Sequence, residues 1–314
     1  MPLTKMTKRE KLNWLADLEE GYEPFDKRAL TLLRSLMDDG DAEVRAEAIA
    51  CLWDDPDPRW IELLMRKALH DSHADVRAHA ISALGRYVFE GEAAEFEDWD
   101  QPFINISKED YTRVVEFLFR IARDETETQT ARRYAIEALA FRGDDPAVSN
   151  LIEWAYQHRD RRMKVSAIFA MARHGDLQWT RYILAEMRSR DTQIQYEAVR
   201  AAGEMGLEEA VEPLTELIRA KGTRKPLRLL AIFSLGETGD PRALDTLEQL
   251  ARSRDRDVRE VAREAIEEWH AITEIEQMAE QAADQMDDDD GAGDFEPANM
   301  PDIWNQDTGM FSRN

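Results

Sequence analysis

The sequence is short of the residues on which several kinds of protein chemistry depend. It holds one cysteine, Cys51, among 314 residues, which excludes an internal disulfide and a metal site built from several cysteines. It contains no run of apolar residues long enough to cross a membrane. Residues 1–10 include no apolar signal segment, so we expect a cytoplasmic protein that does not bind membranes.

Basic residues are also scarce relative to acidic ones. The chain has 41 Lys and Arg against 65 Asp and Glu, which gives a formal net charge of −24. Because nucleic acids are bound through basic surfaces, we expect no nucleic-acid partner. Two interpretations of the charge remain open: it selects a basic or neutral protein partner, or it only keeps the chain soluble.

The short motifs of common enzymes are missing as well. The sequence has no glycine-rich phosphate loop, no Gly-x-Ser-x-Gly and no Cys-x-x-Cys. His70 and His73 could supply two metal ligands at a turn, but the sequence assures no third. We therefore expect no catalytic residues, no metal and no cofactor.

What the sequence has is a repeat of about 32 residues, most regular at 71–85, and a fixed period of this length indicates a stacked array. Each repeat is centred on an alanine, which we call its anchor. The anchors are Ala48, Ala80, Ala135, Ala167, Ala198, Ala231 and Ala262.

Four columns of the repeat indicate an amphipathic second helix. Positions four before and four after each anchor are mostly large and apolar, and they share one helix face with it. Positions three after the anchor are small, which suits close contact between helices. Positions three before the anchor are mostly arginine, and we expect these side chains to bind carboxylates or carbonyls in adjacent turns. Lys164 and Gln195 should interrupt this arginine column.

The pattern Asp-x-x-Val-Arg-x-x-Ala-x-x-Ala-Leu-Gly, at 41–52, 71–85 and 255–266, resembles the short form of the HEAT repeat. The resemblance covers about 25–270 and implies an all-α fold, a right-handed α-solenoid of about seven HEAT-like helix pairs. It also implies a non-catalytic protein–protein interaction scaffold. The family includes iron-binding deoxyhypusine hydroxylases, but their His-Glu pairs do not occur here. A relative class that acts on phycobilin attachment leaves one alternative, an accessory or lyase-type protein acting on a cofactor-bearing protein.

Breaks in the repeat suggest the organisation of the chain. We expect an N-terminal capping helix at 1–24, the solenoid at 25–270 with an insertion at 89–107, and a helix extension with a disordered acidic tail at 271–314. Three aromatic residues of the insertion either fold back onto the solenoid or line a binding surface. They are Phe96, Trp99 and Phe103.

Helix ends carry recognisable residues. Aspartates four residues before the arginine column should act as N-caps, and they are Asp41, Asp160, Asp191 and Asp255. Glycines eight residues after the anchors should occupy helix C-cap positions, and they are Gly143, Gly175, Gly206 and Gly239. Pro213 should lie inside a first helix and bend it.

A partner is expected on the concave face, which the second helices of a solenoid line. Residues two before and two after each anchor should face solvent there, and several are large and apolar. This candidate strip consists of Arg133, Val165, Phe169, Tyr196, Arg200, Leu229 and Phe233. It either binds a peptide or protein segment or is covered by neighbouring repeats. Trp304 and Phe311 of the tail form a candidate docking motif, and the alternative is a solvated tail.

Overall fold

The structure, a computed structural model, describes residues 6–19, 25–53, 56–96 and 106–287. Within these ranges every regular element is a helix and no strand occurs. The chain divides into two units, 1–270 and 271–314, and the repeats lie in the first. No helix of the described ranges combines the length and the hydropathy that a membrane crossing requires.

A first helix, α1, precedes helix pairs that follow one another along the chain. The helices are α1 Lys8–Glu19, α2 Lys27–Leu36, α3 Ala42–Ala50, α4 Ile61–His70, α5 Ala74–Phe96, α6 Lys108–Arg123, α7 Gln129–Leu139, α8 Pro146–Gln157, α9 Arg161–His174, α10 Thr180–Glu186, α11 Thr192–Glu204, α12 Val211–Arg219, α13 Lys225–Glu237, α14 Pro241–Leu250 and α15 Arg256–Asp287. From α2 onward they form seven consecutive pairs, so the predicted all-α solenoid of helix pairs is confirmed.

The anchors form the centre of this array. All seven anchor alanines have no accessible surface. Small residues also let the second helices α3, α5, α7, α9, α11 and α13 pack directly on one another. A Cβ added to Gly85 of α5 would lie 3.1 Å from the Cα of Ala138 in α7. The layer of second helices is therefore packed backbone to backbone.

Aspartate caps begin four of the seven second helices, α3, α9, α11 and α15. Asp41 and Asp191 each accept hydrogen bonds from two backbone N–H groups of the following turn. Asp160 accepts one from Arg162, and Asp255 accepts one at 3.0 Å from Asp257. The four N-cap predictions are confirmed, and each cap of this kind stabilises a helix by about 1 kcal/mol.

One prediction about helix ends is wrong, because Gly143 does not cap α7, whose C-cap is Ala140. Gly175, Gly206 and Gly239 have φ of 72°, 59° and 64°, but Gly143 is not in the left-handed region. Gly143 is instead a site of close approach, because a Cβ there would lie 2.9 Å from the carbonyl oxygen of His174. Pro213 lies inside a first helix, α12, as predicted. The α-helix begins at Val211, so Pro213 lies in its first turn, where a backbone N–H has no intrahelical acceptor.

The arginine column joins each second helix to the turn before it. Arg77, Arg132, Arg228 and Arg259 donate, at 2.8–3.0 Å, to carbonyl oxygens at the end of the preceding first helix or in the turn after it. Arg45 also forms two hydrogen bonds with the carboxylate of Asp71 in the next repeat, at 2.8 and 2.9 Å.

The predicted interruption of this column is only partly found. The amide of Gln195 donates to the carbonyl oxygen of Met187 at 2.9 Å, so it keeps the contact that arginine makes elsewhere. Lys164 instead pairs with Glu186 of the following repeat at 2.5 Å.

Helix α5 extends beyond the residue at which the repeat pattern ends. Helix α5 continues to Phe96, which corrects the expected break at residue 89. Gly91 lies against the ring of Tyr111 in α6, and Glu92 forms an ion pair with Arg142 at 3.2 Å. These contacts hold the extra helical turns. The predictions for Trp99, Phe103 and the Phe96 side chain lie outside the described residues.

Candidate functional site

All seven residues of the strip predicted from sequence lie on second helices. Arg133 is on α7, Val165 and Phe169 are on α9, and the others are on α11 and α13. Each of the seven side chains is half-buried. We call the solvent-facing side of α5, α7, α9, α11, α13 and the first half of α15, together with the turn that follows α7, the second-helix surface.

Phe169 does not stand alone on this surface. Its ring lies between two guanidinium groups, with the ring centre 4.6 Å from Arg173 and 4.8 Å from Arg200. An arginine over an aromatic face is attracted by the ring quadrupole, an effect of about 0.5–1 kcal/mol at accessible sites. Phe169 is therefore a ring held in a fixed position by α9 and α11.

The two arginines that flank Phe169 differ in their partners. Arg200 forms an ion pair with Glu197 at 2.6 Å and another with Glu204. Burial opposes the charge on Arg200, but these two carboxylates outweigh burial and raise the pKa of the guanidinium. Arg173 forms no hydrogen bond and no ion pair with any residue that the structure describes.

Two aromatic rings lie close to Arg173. Its guanidinium is 4.8 Å from the ring centre of Phe141, in addition to its contact with Phe169. Its Nε is inaccessible to solvent and has no acceptor in the described part of the chain. Burial lowers the pKa of Arg173, because the charged form loses hydration, and this effect is only partly opposed by the nearby carboxylates of Glu204, Glu137 and Glu197. The two terminal nitrogens of the guanidinium carry further N–H donors that an added acceptor could bind.

The row of rings continues toward the start of the chain. Phe141 packs edge-on against Phe89, with ring centres 5.3 Å apart, and contacts Trp53 at 6.2 Å. Arg86 lies over Phe89 at 5.1 Å and forms an ion pair with Glu90 at 2.5 Å. Rings and guanidinium groups thus alternate from the end of α3 to α11.

Two glutamates of the second-helix surface have unusual pKa values. Burial raises the pKa of Glu137 to about 7, against the opposing effects of the Ser166 hydroxyl and Arg133. Burial also raises the pKa of Glu237 to about 7, against the effect of the Ser234 hydroxyl.

The setting of these two glutamates differs. Arg133 lies 3.8 Å from Glu137 and donates to Ser166 at 2.8 Å. Glu237 forms no ion pair with a described residue, and its carboxylate lies over Gly203 of α11. Glu237 is thus a half-buried carboxyl group without a cation.

Sequence reasoning missed one column of this surface, at six residues after each anchor. It is Arg86, Phe141, Arg173, Glu204, Glu237 and Glu268 in repeats two to seven, and all six side chains are half-buried. The signal was present, because these positions lie one helical turn beyond the column two after the anchor. The column is basic or aromatic in repeats two to four and acidic in repeats five to seven.

The arrangement can stack a planar group against rings, accept a carboxylate at Arg173 and accept a cation at Glu237. Among the described residues, no three His, Cys, Asp or Glu side chains come together as a metal site. Trp304 and Phe311 of the candidate docking motif lie outside the described residues.

Comparisons with known proteins give the family of these repeats. A family model described as HEAT repeats matches residues 29–96 and 180–267. No curated protein matches the chain. The segment between the two matched regions contains the insertion and repeats three and four.

Several solved structures are similar in fold. Human deoxyhypusine hydroxylase in complex with glycerol is 19% identical over 85% of this chain and 92% of that chain, with a TM-score of 0.37. The CpcE–CpcF complex of phycocyanin lyase from Nostoc sp. is 15% identical over 79% of this chain and 89% of that chain, with a TM-score of 0.48. Yeast importin-β is 14% identical over 85% of this chain and 39% of that chain, with a TM-score of 0.48.

Proposed function

Because the chain is a HEAT-repeat protein, we propose that it binds a peptide or protein segment along the second-helix surface of repeats three to six and catalyses no reaction. The observation that carries this proposal is the row of large side chains from Phe141 to Arg200. They are half-buried although they lie on the solvent-facing side of their helices. Aromatic and arginine side chains in such positions supply most of the binding energy of known interfaces.

The fixed geometry of these side chains also supports a role in binding. The ring of Phe169 is fixed between Arg173 and Arg200, and Arg200 is fixed by Glu197 and Glu204. Fixed side chains lose little conformational entropy when a partner covers them. Tyr196, Leu229 and Val165 extend the same surface and pack partly against the core. The surface that a partner would bind is therefore already formed in the free protein.

The partner that fits is basic or neutral overall. The chain has a formal net charge of −24, and glutamates occupy the second-helix surface in repeats five to seven. A strongly acidic partner would be repelled, whereas a neutral or basic segment would approach without this cost.

The test is affinity capture from a native lysate with the full-length protein, read by mass spectrometry. We expect the double variant Phe169→Ala with Phe233→Ala to lose the captured partner. The matched control is Leu177→Ala, because Leu177 is an apolar side chain 73% exposed on the first-helix side. A folded double variant that retains the partner as well as the control does would contradict the proposal.

A second arm addresses the tail. The full-length variant Trp304→Ala with Phe311→Ala tests whether the candidate docking motif contributes to capture. A partner lost only in this variant would assign binding to the tail instead of the second-helix surface.

A further inference from the structure

Two charged side chains of the second-helix surface, Arg173 and Glu237, form no ion pair with a described residue. Charges of opposite sign act on them only at longer range, with Glu204 the largest such effect on Arg173 and Arg200 the one on Glu237. The guanidinium of Arg173 on α9 makes neither a hydrogen bond nor an ion pair among the described residues. The carboxyl group of Glu237 on α13 makes no ion pair among them either. Other charged groups between them are paired, as Arg200 is with Glu197 and Glu204. We call Arg173 and Glu237 the two open groups, because each is a charged side chain available to form an ion pair with a bound partner.

The two open groups occupy the same column in repeats that lie two layers apart. Stacked helices are separated by about 8–10 Å, so α9 and α13 lie about 16–20 Å apart. An extended chain advances about 3.3–3.6 Å per residue, so about five or six residues span this distance. Helix α11 lies between them, and it carries the paired Arg200.

We propose that the second-helix surface binds an extended peptide segment through a carboxylate of that segment at Arg173 and a basic side chain at Glu237, about five or six residues apart. This inference rests on the proposed function and specifies its ligand. The ring centres of Phe141 and Phe169 lie 4.8 and 4.6 Å from the guanidinium, which forms no hydrogen bond or ion pair with a described residue and so has donors to offer a carboxylate. An arginine edge matches a carboxylate in a two-bond geometry.

The electrostatics of both ends favour this occupant. A carboxylate at Arg173 replaces hydration that burial has removed. A cation at Glu237 favours the ionised carboxyl group, whose pKa is about 7 in the free protein. The charged groups that act on Glu237 are Glu204 and Glu268, which raise its pKa, and Arg200, which lowers it. Binding near neutral pH therefore releases a proton from Glu237.

The experiment is a selection from a random peptide library on the immobilised full-length protein. We expect the enriched peptides to carry Asp or Glu on one side and Lys or Arg about five or six residues away. Arg173→Gln should remove the preference for the acid, and Glu237→Gln should remove the preference for the base. Each change should weaken an enriched peptide about tenfold, the effect of one lost charge-assisted bond.

Matched controls distinguish the effect of losing a charge at the proposed site from the effect of changing the net charge of the protein. Arg219→Gln and Glu209→Gln make the same charge changes at exposed positions of the first-helix side, and both should select the wild-type pattern. Arg173→Lys keeps the charge and should retain part of the preference for the acid. Calorimetry in two buffers of different ionisation enthalpy should show proton release that Glu237→Gln abolishes.

The outcomes distinguish the inference from the function on which it rests. Enriched peptides that depend on Phe169 and Phe233 but lack the charge pair would overturn the inference alone. A charge pair that persists in both glutamine variants would overturn it as well. A library that yields no peptide dependent on Phe169 and Phe233 would overturn both.

Discussion

The two ends of the second-helix surface use the same repeat positions in opposite ways. Around Phe169, large rings and guanidinium groups fill the space above α7, α9 and α11. Around Glu237, small residues bring α11 and α13 together, and a Cβ on Gly203 would lie 2.6 Å from the Cβ of Ser234. The buried anchors are identical at both ends. The array therefore fixes its stacking with one column and leaves the others free to form different surfaces.

The largest effect should come from breaking the close approach at the Glu237 end. In Gly203→Ala the added methyl group would meet the backbone-linked Cβ of Ser234, so α11 and α13 must separate. We expect a loss of about 2–3 kcal/mol in the free energy of unfolding, typical of an overpacked site. Urea denaturation measures it, with Gly222→Ala as the control because nothing lies within 4 Å of a Cβ there. An unchanged midpoint for Gly203→Ala would show that the helices are not in close contact.

The second-largest loss of stability should come from Arg200→Gln, and it should exceed the loss from Arg173→Gln, the change at the other arginine beside Phe169. Arg200→Gln leaves Glu197 and Glu204 half-buried without their cation, and we expect it to cost about 2 kcal/mol. Arg173→Gln breaks no ion pair, and we expect it to cost about 0.5–1 kcal/mol, the value of its contacts with the two rings. Denaturant titration of both variants at one pH gives the comparison. Equal losses would mean that Arg173 has a partner in solution.

A smaller effect should appear as pH dependence at the Glu237 end. The pKa of Glu237 is about 7 in the folded protein against an ordinary value of 4.5, so the folded state binds the extra proton between these values. Stability due to this proton is present below pH 4.5 and is lost as pH rises through 7. We expect Glu237→Gln to match the wild type near pH 4.5 and to exceed it by about 1 kcal/mol at pH 8.

The measurement is the unfolding midpoint at several pH values. His174 gives the opposite trend, because burial lowers its pKa, and the comparison of variant with wild type cancels this contribution. Glu209→Gln, on an exposed glutamate, is the control and should show no pH-dependent difference. A Glu237→Gln variant that follows the wild type at every pH would show that this carboxyl group is not held in its neutral form.

The smallest effect should come from the first-helix side. Leu177→Ala removes an apolar side chain that is 73% exposed, and we expect less than about 0.5 kcal/mol. Thermal unfolding is sufficient to measure it. A loss as large as that of Arg200→Gln would show that exposure in the structure does not report stability here.

Local sequence signals predicted helix starts because N-caps act within a few residues. The predicted caps Asp41, Asp160, Asp191 and Asp255 begin α3, α9, α11 and α15 in the structure. The repeat pattern failed at α5, whose extension to Phe96 depends on Gly91 fitting against Tyr111 of another helix. Such contacts between distant segments leave no periodic trace in a sequence.

The candidate site was predicted in part for a related reason. Positions two before and two after the anchor placed Phe169 and Arg200 on the second-helix surface, where the structure has them. Arg173 and Glu237 lie one turn further, and the same helical geometry would have included them. That Arg173 lacks an acceptor was not predictable, since it depends on distances among side chains of three repeats.

The contact between Gly85 and Ala138 has a consequence for how the array unfolds. These residues belong to repeats on either side of the insertion, yet α5 and α7 are packed as closely as helices of uninterrupted repeats. In a chain of repeats, cooperativity passes from neighbour to neighbour through such interfaces. Repeats one and two are therefore expected to melt together with repeat three in a single transition, and the insertion does not divide the array into separately folding blocks.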